Sequence, residues 1–124
     1  MADLKEAIRV AREAVKATPE DHPDRAAWLS NLGNRLGDRY SRTGSMADLE
    51  EAICVARETV KATPEDHPDR AARLNNLAVH LGNRYSRTAS LVDLEDAICV
   101  AREAVKATPE DYPDRATLLN NLGN

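Results

Sequence analysis

Apolar residues return along this chain at steps of three and four, and each stretch of that rhythm ends near a proline or a glycine. From Ser45 to Thr63, the residues Leu49, Ala52, Ile53, Ala56 and Val60 form one stripe, which predicts an amphipathic helix. Ser45, with Asp48 three residues on, has the spacing of a capping box, and Ser90 with Asp93 repeats it. Pro64 stops the helix. A second stripe, Ala71, Leu74, Leu77, Ala78, Leu81 and Tyr85, predicts another helix, opening at Pro68, a residue preorganised for the first helical position. Gly44 suits a left-handed C-terminal cap in the first copy of this helix. In the second copy Ala89 takes its place and makes a poorer cap.

The two helices make up a unit of 45 residues that recurs. Met1-Ala2-Asp3-Leu4 returns as Met46-Ala47-Asp48-Leu49 and as Leu91-Val92-Asp93-Leu94, and the run from Thr18 to Asp24 returns from Thr63 and again from Thr108. The first helix type, B, is expected over about 2–17, 46–62 and 91–107, and the second, A, over about 23–43, 68–88 and 113–124. No strand pattern interrupts them. A repeat of this period marks a stacked architecture in which each unit buries its apolar face against its neighbours. The expected fold is all-α: an α-solenoid of antiparallel helix pairs, forming one segment over 1–124. Gly33 and Gly37 lie one turn apart in the middle of helix A. Glycine costs about 1 kcal/mol there relative to alanine, so a close approach of helices is the expected compensation, and Ala78 at the site equivalent to Gly33 agrees.

Composition narrows the function. Phenylalanine is absent, so the core must be built from small and aliphatic side chains, each burying little area at about 25 cal/mol per Å². A net charge of −4 argues against nucleic acid, which asks for a basic face. No apolar run reaches the ~18 residues of a membrane span. The charged first turn does not read as a secretory signal, which favours the cytoplasm. Cys54 and Cys99 occupy the position of Arg9 in successive units, so both are expected as exposed free thiols on the outer wall, in keeping with a reducing compartment. His22 and His67 are expected to serve the turn beside their prolines, His80 to be solvated or in a groove, and Trp28 to pack on a neighbouring helix B. No phosphate loop, zinc spacing or nucleophile elbow appears, so neither catalysis, nor a metal, nor a cofactor is expected.

The residues resemble the tetratricopeptide repeat. Helix A carries Leu29-x2-Leu32-Gly33 followed by Leu36. Helix B carries Ala52-x3-Ala56-x2-Thr59-x4-Pro64, echoed by Ala7, Ala11, Ala14 and Pro19 and by Ala97, Ala101, Ala104 and Pro109. Alanine stands where helix B of that family usually has an aromatic, and the unit is longer, with its surplus in the links. The run Glu65-Asp66-His67-Pro68-Asp69, with Leu74-Asn75-Asn76-Leu77-Ala78, is similar to the longer repeats of kinesin light chain. Arrays of near-identical units of this kind also accompany NLR-type ATPase domains and CHAT domains in fungal proteins. The resemblance implies a right-handed superhelix whose concave wall is made of helix A and binds a protein or an extended peptide.

The groove-lining positions of that family fall here on Ala27, Ser30, Asn31, Asn34 and Asp38, then on Ala72, Asn75, Asn76, Val79 and Asn83, and in the third copy on Thr117, Asn120, Asn121 and Asn124. Their steps of three and four place them on one face, roughly opposite the leucines. Asn31, Asn76 and Asn121 align one per unit. An asparagine amide both donates and accepts, so a ladder of them suits the backbone of an extended peptide, similar to the asparagine ladder of O-GlcNAc transferase. The first two copies differ at ten positions (5, 9, 14, 28, 30, 33, 34, 35, 38 and 44), six of them within helix A. Three of these, Ser30/Asn75, Asn34/Val79 and Asp38/Asn83, lie on the expected reading face. The primary expectation is a binding scaffold, the sensor or interaction segment of a larger protein. The alternative is a self-assembly module that joins head to tail or swaps through its terminal helices.

Overall fold

A computed structural model describes residues 3–108 of the chain. It contains five helices: α1 (Leu4–Ala17), α2 (Arg25–Thr43), α3 (Met46–Lys61), α4 (Arg70–Thr88) and α5 (Leu91–Ala107). There is no strand among the described residues. The fold is all-α and built of packed neighbouring helices, as the stripes predict. The chain divides into two compact units, with the boundary between Ala62 and Thr63.

In the first unit α2 is sandwiched between α1 and α3. Ile8 and Ala11 of α1, Leu29, Leu32 and Leu36 of α2, and Ala52 and Val55 of α3 form one buried cluster. Residues of this size compensate for limited area by close approach. A methyl group placed on Gly33 would lie 3.5 Å from Val55 Cγ1 and 3.9 Å from the Ala52 carbonyl oxygen, so the glycine sits against α3. A methyl group there would make only ordinary contacts, so the packing at Gly33 does not itself demand a glycine. At Gly82, the equivalent of Gly37, no heavy atom of the described residues comes within 4 Å, and close approach does not explain a glycine there either.

The turn between α2 and α3 shows why the pair runs antiparallel. Gly44 takes the left-handed conformation (φ 72°, ψ 13°), and its amide donates to the Tyr40 carbonyl at 2.7 Å. Ser45 caps α3 by accepting from the Asp48 amide at 3.5 Å. Across the same turn Arg39 grips the buried Asp48 with two bonds, Nε to Oδ2 and Nη2 to Oδ1, each 2.8 Å. A planar fork on a carboxylate fixes direction as well as distance, and this hydrogen bond holds the Arg39 pKa above its ordinary value.

The second unit repeats the device. Arg84 Nε donates to Asp93 Oδ1 at 3.0 Å, and the Thr88 hydroxyl donates to Asp93 Oδ2 at 3.2 Å, joining α4 to α5. Here the expected capping box does not form. The Ser90 side chain makes no cap hydrogen bond, although the Asp93 carboxylate is engaged by Arg84 and Thr88 much as Asp48 is by Arg39. Ala89 holds the left-handed conformation of its glycine counterpart (φ 57°, ψ 23°).

Helix A opens at Arg25 and Arg70, two residues past the prolines expected to start it. Pro23 belongs instead to a tight turn. The His22 amide donates to the Pro19 carbonyl, the Arg25 amide to the His22 carbonyl, and His22 Nδ1 accepts from the Asp24 amide at 3.0 Å. The second copy repeats this with His67 and Asp69. The guanidinium at the first helical position then closes the link. Arg25 Nη1 donates to the Thr18 carbonyl at 2.7 Å, and Arg70 Nη1 to the Thr63 carbonyl at 2.7 Å.

Candidate binding face

On α2, Leu29, Leu32 and Leu36 point into the core, and the helical period turns Ala27, Asn31, Asn34 and Asp38 outward. These four are exposed, and Ser30 on the flank is half-buried. Asp38 Oδ2 stands 3.6 Å from Arg35 Nη1, an exposed pair one turn apart. On α4, Ala72 and Val79 are exposed, while Asn75, Asn76 and Asn83 are half-buried. Each of the two helices therefore carries its own strip of expected positions. Asn120 and Asn121 lie outside the described residues, as does the third copy of helix A.

Asn31 also borders an open groove of about 410 Å³ between α1 and α2. Its apolar floor is Ala7, Val10, Ala11 and Ala14 from α1 and Trp28 from α2, with Arg35, Asp3 and Glu6 at the rim. Trp28 lines the groove across from α1 but is 41% exposed, so it is not packed away on helix B as expected. On the solvent side of α1, Arg9 bonds Glu6 and, at 2.8 Å, Glu13. That contact holds the Glu6 carboxyl below its ordinary pKa and the Arg9 guanidinium above its own.

One expectation fails outright. His80 is neither solvated nor in a groove: it is 7% exposed, and burial pushes its pKa below the ordinary 6.5. Its counterpart Arg35 is exposed, so the exchange of arginine for an uncharged imidazole goes with a change of surroundings. The two cysteines are free and exposed, as expected. His22 and His67 hold turns. No group of three His, Cys, Asp or Glu side chains with metal-binding geometry occurs among the described residues. No described helix is long and apolar enough to cross a membrane.

Residues that the sequence reading missed are the arginines of the turns: Arg25, Arg39, Arg70, Arg84 and also Arg73, whose Nη1 donates to the Thr63 hydroxyl at 3.0 Å. The signal was present. An arginine stands nine residues before an aspartate at the A-to-B turn in both copies, and an arginine seven residues after the threonine at the B-to-A link. These clamps tie each helix A to the turns before and after it.

No curated protein matches the chain. The tetratricopeptide repeat profile matches residues 25–69 and 70–111, two successive stretches that each begin at the first residue of a helix A. With its helix pairs, its period and most of its length matched in this way, the chain belongs to the tetratricopeptide repeat family, whose repeats mediate contacts between proteins.

Proposed function

We propose that this chain is a scaffold that binds a protein or an extended peptide through the outward face of helix A in each unit. The observation that carries the reading is the exposed polar strip Asn31, Asn34 and Asp38 on α2, opposite a fully apolar face. Asn31 and Asn76 each bring a donor and an acceptor to the same register position and suit a peptide backbone regardless of its side chains. Around them the two copies diverge at Ser30/Asn75, Asn34/Val79 and Asp38/Asn83, so each unit reads side chains differently. In a longer protein such a segment acts as a sensor that passes partner binding to an attached effector, as the likeness to kinesin light chain and to repeats beside NLR-type and CHAT domains suggests. Two exposed free thiols fit work in the reducing cytoplasm.

An array of immobilised extended peptides, probed with the purified chain, tests this. Each lost amide pairing is worth about 0.5–1.5 kcal/mol, so Asn31→Ala with Asn76→Ala should weaken the bound peptides about tenfold or more. The control Lys61→Ala, on an exposed position of α3, should not. Unaltered binding in the double variant would remove the asparagines from the mechanism.

A further inference from the structure

The turn from helix A to helix B carries one run in both units, Arg-Tyr-Ser-Arg-Thr-x-Ser, from Arg39 to Ser45 and from Arg84 to Ser90. In each copy an arginine stands three residues before the last serine, and a long apolar side chain follows it. These are Arg42, Ser45 and Met46, then Arg87, Ser90 and Leu91. A cation at that offset and an apolar residue directly after a hydroxyl form a charge pattern that a protein kinase can read, given carboxylates and an apolar recess beside its active site. Both serines are half-buried and both arginines exposed. What separates the two copies is how each hydroxyl is held.

Ser45 Oγ accepts from the Asp48 amide at 3.5 Å, and Met46 after it is half-buried. Ser90 makes no cap hydrogen bond, and Leu91 after it is 66% exposed. A serine cap steadies the first turn of a helix, so α5 opens at its start more readily than α3. Ser90 itself already has extended backbone (φ −75°, ψ 121°). Arg84 is held by Asp93 at 3.0 Å, which leaves Arg87 as the cation presented before Ser90. We propose that Ser90 is a phosphorylation site for an arginine-directed protein kinase, with Arg87 and Leu91 as its recognition residues. The γ-phosphoryl group of ATP passes to Ser90 Oγ. The new O–P bond forms as the bond from the γ-phosphorus to the departing ADP oxygen breaks, and the hydroxyl proton goes to the kinase's aspartate base. The added charge, about −1.5 to −2, falls on a chain of net charge −4 and turns it further against acidic partners.

The purified chain, incubated with the catalytic subunit of cyclic-AMP-dependent protein kinase and magnesium ATP, tests this, with the phosphate located by mass mapping of peptides. Phosphate should enter at Ser90 about fivefold faster than at Ser45, or more, the ratio set by a cap that holds one helix start and not the other. Arg87→Ala, at an exposed position, removes one charge-assisted contact to the kinase. It should slow the Ser90 reaction about tenfold and leave the circular dichroism melt unchanged. Ser90→Ala removes no cap hydrogen bond, so it should melt like the unaltered chain and lose this phosphate. A synthetic peptide of residues 84–95 that is phosphorylated while the folded chain is not would overturn the proposal. So would equal rates at Ser45 and Ser90, or a normal rate in Arg87→Ala. Asn31→Ala with Asn76→Ala should leave the Ser90 rate intact while weakening peptide binding, so failure of one reading does not mask failure of the other.

Discussion

At Ala89 the chain holds an L residue with a side chain at φ 57°, and the other unit provides the control. Gly44 occupies the same place at φ 72°, and both amides donate to a tyrosine carbonyl at 2.7 Å, Tyr40 for Gly44 and Tyr85 for Ala89. In this conformation Cβ crowds the following carbonyl oxygen, at a cost of about 1–2 kcal/mol. Glycine escapes that crowding, but its wider freedom in the unfolded chain costs about 0.4–1 kcal/mol. The difference decides the sign: Ala89→Gly should stabilise by about 0.5–1 kcal/mol, and Gly44→Ala should destabilise by a similar amount. For a unit of this size that corresponds to roughly 2–8 °C in Tm. The two sites lie in separate compact units, so the double exchange should melt close to the unaltered chain. Thermal melts followed by circular dichroism read all three variants. A melting point that falls or stays still in Ala89→Gly would show that the left-handed cap carries no strain at this turn.

Other consequences follow from the clamps and the core. Asp48→Ala removes a two-bond contact to Arg39 at a carboxylate that is 11% exposed and should cost about 1.5–3 kcal/mol in urea unfolding, whereas Arg39→Lys, which keeps the charge and loses the fork, should cost less. Because burial lowers the His80 pKa below 6.5, the unfolded chain takes up the proton first as pH falls. This contribution to stability is complete above that value and is lost as pH drops toward the lowered one. His80→Gln should therefore narrow the gap in melting temperature between about pH 7.5 and about pH 5.5, and an unchanged gap would refute the assignment. Gly33→Ala adds a methyl group at ordinary contact distance from Val55 and should stabilise α2 by up to about 1 kcal/mol, while Gly33→Leu should unfold the first unit.

The stripes and the period were legible because they are local and periodic: Leu29, Leu32 and Leu36 declare a buried face without knowledge of what covers it. Gly44 was legible for a similar reason, since one backbone conformation selects one residue type. Arg39 and Asp48 escaped notice because a pair nine residues apart across a turn obeys neither helical nor strand periodicity. Ser90 misled because its spacing to Asp93 matches that of Ser45 to Asp48, yet only Ser45 accepts the amide hydrogen bond. His80 misled because register was taken to imply environment. Position 35 is solvated and position 80 is not, although both follow the same leucines. The exposed strip of α2 was legible as geometry, being the complement of the core face. Its chemistry toward a partner is carried by residue types alone, which is why it enters as a proposal.

The clamps also explain how the reading face can vary without loss of fold. The hydrogen bonds made by Arg25, Arg39, Thr18 and His22 recur on identical residues in the second unit, while the Arg73 bond to Thr63 has Trp28 at its place in the first. Positions 30, 34 and 38 lie outside that set. Asp38 meets Arg35 only in an exposed pair at 3.6 Å, of a kind worth about 0–1 kcal/mol. Grafting the second unit's strip onto the first, as Ser30→Asn, Asn34→Val and Asp38→Asn together, should therefore shift stability by no more than about 0.5 kcal/mol per site. If the strip reads partners, the graft should at the same time make the peptides preferred by the first unit resemble those preferred by the second, as measured on the same array with Asn76→Ala in the background. A graft that unfolds the chain would place these residues in the scaffold. A graft that folds normally and leaves the peptide preference untouched would place recognition on another surface.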